Sequence, residues 1–549
     1  MKDKDFNLVD QPWILALDLK GRTAQRSLLE LFAQAHRLYG LAGEMPAQDI
    51  ALLRLLLAIL YAVFGNGGLD GAGEPPRSLD EARDRWQALW ALGSFPQDRL
   101  EGYLRDPEIY ERFYLFHPHL PFMQVVVDEQ ARMPVGDATE PLNPLVRQMK
   151  SMIGDLAESE NTPHLFAHRQ DKDALSPAEA ARWLIHMNAY DVSPLGAPPR
   201  GSFRAKGFKE PWPNRLGLVW AQGNTLFETL LLNLVLAQEG QDPWQDFVPA
   251  WEQAKPFHYQ DLQMVEVNFP SDPALLFTYP FRRLQLRRNP AGEVVECVLW
   301  GGHLVQATEG NPLTETMTLW RRDRSGNLVP RQHDPARQMW QDFGALFTMT
   351  QAPAPGIVSW LSGLVGEGRL DLPLLRLNTG GMVLSSKKTS IEDTVADSLR
   401  FHSALLRNLE EGWMPRITRE LEVTDKLVVR LGFLASNLAR AAGESGDNSL
   451  KTTASKARAA GYFLVDQPFR QWLEGLDQHS DLDQACLAWR QTQQRLMARE
   501  GSEMVRRAGL KALVGRSVKE GEDGAKERVY AAPALYNQFQ AQVWKILFE

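Results

Sequence analysis

The spacing of apolar positions changes near Ser390. Beyond it they recur at helical spacing in long runs, with few strand signals and short breakers between. These runs predict helices over Ser390–Leu409, Val423–Ala442, Leu450–Leu476 with a break at Pro468, Ser480–Arg507 and Ala532–Leu547. Connections that short suit antiparallel neighbours, hence a four-helix-type bundle. Before Ser390 the pattern is mixed. Ser27–Tyr39 and Ala47–Gly65 read as helices split by the breaker Gly43–Pro46, and Phe6–Ile14 as a short strand ended by Pro12 with Trp13 buried. Phe277–Arg288 alternates as a strand and Asn289–Gly292 turns it into Val294–Trp300, a β-hairpin; Trp320–Arg322 and Val329–Arg331 suggest another. The expected fold is α+β: a large mixed domain with β-hairpins and helices over 1–389, followed by an α-helical bundle over 390–549.

Two stretches of the first part are punctuated rather than periodic. Asn161–Asp173 is polar, and His164, His168, Arg169 and Lys172 surround Phe166. Ser176-Pro177-Ala178-Glu179 then supplies an N-cap, a proline at N1 and a glutamate at N3, so a helix starts there. Ser193–Lys209 interleaves Gly196, Gly201 and Gly207 with Arg200, Arg204, Lys206 and Lys209, and with Phe203 and Phe208. Glycines admit a close backbone approach, cations meet phosphates, and aromatic rings pack on sugars or bases. On the strand before Asn289, Arg282, Arg283, Arg287 and Arg288 suggest a basic stripe.

The run Gly380-Gly381-Met-Val-Leu-Ser385-Ser386-Lys387-Lys388-Thr389-Ser390-Ile391-Glu392-Asp393 combines two glycines, two lysines and a capping-box pattern, Thr389 with Glu392. It predicts a helix N-terminus with cations beside it, a phosphate site in principle. It is not a P-loop: counted from Gly381, Ser386 stands where the second glycine belongs, and Lys388 where the Mg²⁺-binding hydroxyl belongs.

Several segments together carry a family resemblance. Asn7–Ile14 is similar to an opening N-L-I-D-E-P-W-I, Ala174–Arg182 to A-L-S-P-A-E-A-A-R, and Gln222–Asn233 to Q-G-D-N-L-F-E-T-L-L-L-N. Gly381–Asp393 lies without a gap on a loop reading G-L-V-Y-G-N-Q-Q-S-K-V-D-D. These segments resemble the large subunit (CasA family) of the type I-E CRISPR Cascade complex. The resemblance implies a protein without catalytic residues or cofactor that reads the protospacer-adjacent motif (PAM) in double-stranded DNA, helps open the duplex for guide-RNA pairing, and helps recruit a nuclease-helicase. It implies contacts with other Cascade subunits, with the 5′ handle of the guide RNA and with target DNA. By position it carries DNA contacts to Phe166, Ala167 and His168; to Gly196, Arg200, Gly201, Arg204 and Lys206; to Arg282 or Arg283; and to Ser386, Lys387 and Lys388. The two lysines stand where the family places a glutamine wedge.

Composition narrows the alternatives. Hydrophobic content of 44% and charged content of 23% are ordinary for a globular chain. Two cysteines far apart, Cys297 and Cys486, fit a reducing cytosol and exclude a cysteine-built zinc site. No signal-peptide pattern follows Met1, and the apolar stretch Ile50–Phe64, interrupted by Arg54, is too short to span a bilayer and reads as a core helix. A soluble, cytoplasmic protein is expected. The net charge of −8 argues against bulk capture of nucleic acid, and 22 basic against 22 acidic residues from Ser390 onward put the acidic excess in the first part. His117 and His119 lie close together but gather no further ligands, and His333-Asp334 reads as a turn and helix cap. No G-x-S-x-G, H-E-x-x-H or Walker A pattern occurs. Two other readings remain: a phosphate- or nucleotide-binding enzyme built on residues 380–390, and a scaffold subunit that never touches DNA.

Overall fold

The computed structural model describes residues 4–126 (except 70 and 72), 145–148, 174–191, 211–253, 266–267, 269–299, 304–305, 312–347, 352–384, 391–410, 412–520 and 526–549. The fold is α+β, with a helical C-terminal bundle. Two compact units part between Ser398 and Leu399, and the second also takes in Trp340–Thr348 and Leu372–Leu374. The sequence placed this boundary at 389/390; the strand that runs through Ser390's successors keeps the next residues in the first unit.

The first unit is organised round one buried helix. Pro46–Leu60 starts on a proline at N1 and continues through Tyr61–Gly65 with π-helical bonding. It is long and apolar enough to cross a membrane, but 94% of that window is buried inside the protein. It packs against the helices Pro177–Tyr190 and Pro273–Thr278. The same unit holds a three-stranded antiparallel sheet, with Ile14–Asp18 between Thr23–Arg26 and Leu38–Leu41. Trp13 is fully buried and donates its Nε1–H to the Leu8 carbonyl at 2.9 Å, which fixes the entry of the chain. Ser27 and Glu30 form the capping box of Leu28–Gln34, and Ser176 and Glu179 that of Pro177–Tyr190. Thr225 caps Leu226–Leu232, whose leucines are core. The hairpins Leu284–Arg288/Val294–Leu299 and Trp320–Arg322/Leu328–Pro330 form as expected. Phe277, however, closes the helix Pro273–Thr278, so the first hairpin starts only at Leu284.

The second unit contains four long helices: Trp413–Ala442, Asp447–Glu474, Leu482–Val514 and Ala532–Phe548. The first packs on the other three. Small residues set the close crossings: a Cβ on Gly461 would come within 3.1 Å of Leu431. Pro468 does not break its helix. The third helix instead breaks at Gly509, whose φ of 77° is left-handed. Between the last two helices lies a hairpin the helical pattern hid, Arg516–Glu520 with Lys526–Tyr530.

Candidate nucleic-acid interface

The helix expected over Ser390–Leu409 is a strand. Ile391–His402 lies beside Leu374–Leu384, which in turn pairs antiparallel with Leu218–Gln222 in the register Gly380 to Leu218. Ile391, Thr394 and Val395 are β-branched and favour a pleated surface. Leu399 and Phe401 are fully buried, two residues apart, as the period of a strand requires. The apolar positions Ile391, Val395 and Leu399 fit both periods, and sheet pairing decides between them. With no helix starting at Ser390, the helix N-terminus that made residues 380–390 an anion site is absent, and the nucleotide-enzyme reading loses its premise. Gly380 has a packing role instead. A Cβ there would stand 2.5 Å from Ile50 Cδ1 and 3.0 Å from the Trp220 ring. Ser386, Lys387 and Lys388 lie outside the described residues; the strands that end at Leu384 and begin at Ile391 carry them.

Phe166, Ala167 and His168 also lie outside the described residues, as do Gly196, Arg200, Gly201, Arg204 and Lys206. What the structure describes is where their segments are rooted. The helix Pro177–Tyr190 separates the two stretches: one ends just before its N-cap, the other leaves from Asp191 at its C-terminus. Its 14 residues hold those roots about 21 Å apart.

The second root is clamped by Arg282. Its Nε donates to Asp191 Oδ2 at 2.6 Å, its Nη2 to the Asp191 carbonyl at 3.4 Å, and its backbone N–H to Asn188 Oδ1 at 3.2 Å. Across the segment, Asn214 Nδ2 donates to the same Asp191 carbonyl at 3.4 Å. Trp212 is buried and donates its Nε1–H to Glu315 at 3.2 Å. Glu315 in turn takes two 2.8 Å bonds from Arg54, whose guanidinium lies 4.0 Å from the Phe277 ring centroid.

The basic stripe is therefore corrected. Arg282 and Arg283 are 1% and 3% exposed, turned inward, and do not present their guanidinium groups at the surface. Arg287 is exposed near Glu296, at 3.7 Å. Arg288 bonds Asp5 and lies over the Phe116 ring at 3.9 Å. The four side chains divide between interior and surface because the chain before Leu284 is packed in the core rather than extended along a sheet edge.

Residues 211–222 lead from the second segment to the strand Leu374–Leu384. After Trp212 and Asn214 the chain becomes the strand paired with Leu374–Leu384. Gln332 Nε2 donates to the Asn214 carbonyl at 2.6 Å, and His333 Nε2 lies 2.9 Å from the Leu218 carbonyl. Leu216, Gln332, His333, Met382, Leu384 and Val395 line a small cleft of about 40 Å³ beside this strand pair. Asp334 accepts from the Ala336 N–H, a turn role. His117 accepts from the backbone N–H groups of His119 and Leu120, at 3.0 and 2.7 Å, and faces Glu111, so it too orders a turn. Among the described residues no group of three metal-ligating side chains occurs. The sequence reading missed Asp191, Asn214 and Glu315. One signal was visible: Arg54 inside an otherwise apolar helix requires a buried partner.

Comparison with known proteins agrees with this architecture. Residues 7–499 match the family model of the CRISPR-associated protein Cse1. The CRISPR-associated protein CasA/Cse1 of Thermus thermophilus is 29% identical over 453 residues, 79% of this chain and 78% of that one. The crystal structure of Thermobifida fusca Cse1 superposes with a TM-score of 0.78 at 30% identity, covering 99% of this chain and 98% of that one. A chain of a CRISPR RNA-guided surveillance complex shares the fold, with a TM-score of 0.70 at 18% identity over 98% of this chain and 99% of its own. The chain belongs to the Cse1 (CasA) family, the large subunits of Cascade.

Proposed function

We propose that this chain acts within an RNA-guided CRISPR surveillance complex, without catalytic chemistry of its own, as the subunit that recognises the PAM in double-stranded DNA. In this reading it helps open the duplex for guide-RNA pairing, touches the 5′ handle of the guide, and helps bring the target-degrading nuclease-helicase. The observation that carries it is the family match over residues 7–499, which spans all three candidate segments. The rooting supports it: residues 211–222 connect the segment holding Gly196, Arg200, Gly201, Arg204 and Lys206 to the strand pair that holds Ser386, Lys387 and Lys388. Arg282 serves here by fixing Asp191 rather than by entering a groove, and Arg283 is packed beside it in the chain.

Separating base pairs costs about 1.4 kcal/mol per step. A lysine cannot reproduce the amide hydrogen bonds of a glutamine, but its ammonium can hold a displaced phosphate. Lys387 and Lys388 therefore stabilise the opened strand. The test uses the reconstituted guide-RNA complex on targets carrying a fluorescent base beside a randomised PAM. PAM-dependent opening is expected only with this chain present, and weaker opening with Lys387→Ala/Lys388→Ala. Equal opening without the chain overturns PAM reading and leaves a scaffold; unchanged opening in the double variant removes the lysines' role.

A further inference from the structure

The turn Trp212–Arg215, which leads into the strand Leu218–Gln222, is gripped by a side chain that none of the contact assignments uses. The turn is closed by the Asn214 N–H on the Pro211 carbonyl and the Leu216 N–H on the Pro213 carbonyl, both at 3.1 Å. Trp212 anchors its start on Glu315. Its end depends on Asn214, which is 1% exposed. Asn214 Nδ2 reaches the Asp191 carbonyl only at 3.4 Å, longer than the usual N–H···O bond, and its Oδ1 has no hydrogen-bond partner. The Asn214 carbonyl, by contrast, accepts from Gln332 Nε2 at 2.6 Å. Of the two links the Gln332 bond is the shorter, and it holds the end of the turn more firmly.

Gln332 is carried by a strap that lies flat on the chain beyond the turn. A Cβ on Gly217 would stand 2.2 Å from the Arg331 carbonyl oxygen and 3.3 Å from the His333 nitrogen, so any side chain there would push the strap away. The strap is fixed in turn: the Arg331 N–H donates to the Leu319 carbonyl at 2.8 Å, and the Leu319 N–H to the Gly217 carbonyl at 3.1 Å. His333 Nε2 lies 2.9 Å from the Leu218 carbonyl, and Leu218 faces Gly380 in the antiparallel pair that runs on to Leu384.

Gly217 is therefore a pivot with a grip on each side. Covalently, the turn and the strand pair are joined through Leu216 and Gly217, and a glycine leaves the backbone free to rotate. His333 and Leu319 hold the strand side; Gln332 holds the turn side. Both grips belong to one strap, so the pivot is locked while both are made.

We infer that Gln332 is a positioning residue that locks the Gly217 pivot and thereby couples PAM contact to duplex opening. It touches no DNA in this role and acts through Asn214. The turn at 212–215 and the strand pair leading to residues 385–390 then move as one body, so a contact made beyond the turn is felt at the strands. This role presupposes that the chain reads the PAM.

Gln332 is exposed, so Gln332→Met, which keeps the side chain's length and removes its donor, should leave thermal melting of the full chain unchanged. Two quantities are then read in the reconstituted guide-RNA complex, each with the PAM and with a scrambled one. Binding is followed by anisotropy on a duplex without complementarity to the guide, and opening by a fluorescent base beside the PAM of a matched duplex. PAM-dependent binding is expected within about twofold of the parent, while PAM-dependent opening falls about three- to tenfold, the range that one neutral hydrogen bond supports. Amide hydrogen exchange over residues 214–218 should quicken in the same variant, as a released pivot requires. Equal losses in binding and opening would make Gln332 a merely structural residue, and unchanged opening would show that the pivot needs no lock; either result overturns the coupling. A parent complex that opens duplexes without regard to the PAM overturns the PAM reading itself, and the coupling with it.

Discussion

In the first unit, buried arginines reach carboxylates far away along the chain: Arg54 to Glu315 across 261 residues, Arg182 to Glu44 across 138, and Arg282 to Asp191 across 91. In the bundle, Glu420 and Arg490 form a comparable clamp, but the helices themselves are 28 to 33 residues long in three cases and are held by regular apolar stripes. Long helices carry their own hydrogen bonds and need only one packed face. Short elements joined by long connections have no such local order, and charged clamps fix their roots at single geometries. The contrast explains why the candidate segments all belong to the first unit. A contact loop needs a rigid root, and Arg282 with Asn214 supplies one at Asp191.

The largest expected effect tests whether these clamps hold the unit together. Arg54 and Glu315 are 3% and 0% exposed at their side chains. In Arg54→Ala the Glu315 carboxylate keeps the Trp212 and Met317 N–H groups but loses the guanidinium paired with it. Breaking such a pair costs about 3–5 kcal/mol, because a buried charge is left without compensation. Chemical denaturation followed by tryptophan fluorescence reads this loss. A change below 1 kcal/mol would mean the pair is incidental and the first unit rests on apolar packing as the bundle does.

His186 sharpens the same point through pH. It is buried on the helix Pro177–Tyr190, between the rings of Trp183 and Tyr190, and both ring nitrogens lack hydrogen-bond partners. Burial pushes its pKa down to about 4, although Asp191 and Glu44 act in the opposite direction. The folded state keeps the imidazole neutral while the unfolded chain protonates it below about 6.5. This contribution is therefore fully present above pH 6.5 and is lost as pH falls toward 4. The shift corresponds to about 3 kcal/mol. His186→Phe should flatten that acid-side decline in a stability–pH profile, relative to the parent chain. Identical profiles would show that the imidazole is hydrated or paired in solution.

The same contrast decides what could be read from the chain alone. Three of the bundle helices and the last helix were legible because their apolar period persists over many turns. The core helix Pro46–Leu60 was legible from its composition, and the cap at Ser176 from a side chain that bonds its own neighbours. Ile391–His402 was misread because three of its apolar residues fit both helical and strand spacing, and its pairing with Leu374–Leu384 is a tertiary fact. Arg282 and Arg283 were read as surface cations because nothing local to them signals Asp191, 91 residues earlier. The hairpin Arg516–Tyr530 escaped notice for a related reason: its strands are only five residues each and lie between two strong helices.

The smallest effect comes from the surface of the bundle. Arg400 and Glu474 form a 3.1 Å ion pair whose side chains are 49% and 43% exposed. Water solvates both partners before and after the pair is broken, and salt screens what remains, so Arg400→Ala should cost about 0–1 kcal/mol. The same denaturation experiment, repeated at high salt, should show the parent and variant converging. The comparison with Arg54→Ala is then between two arginine–carboxylate pairs that differ chiefly in burial. If the exposed pair cost as much as the buried one, helical periodicity would not be sufficient to hold the bundle. Both units would then depend on polar clamps, and the distinction drawn from their architecture would fail.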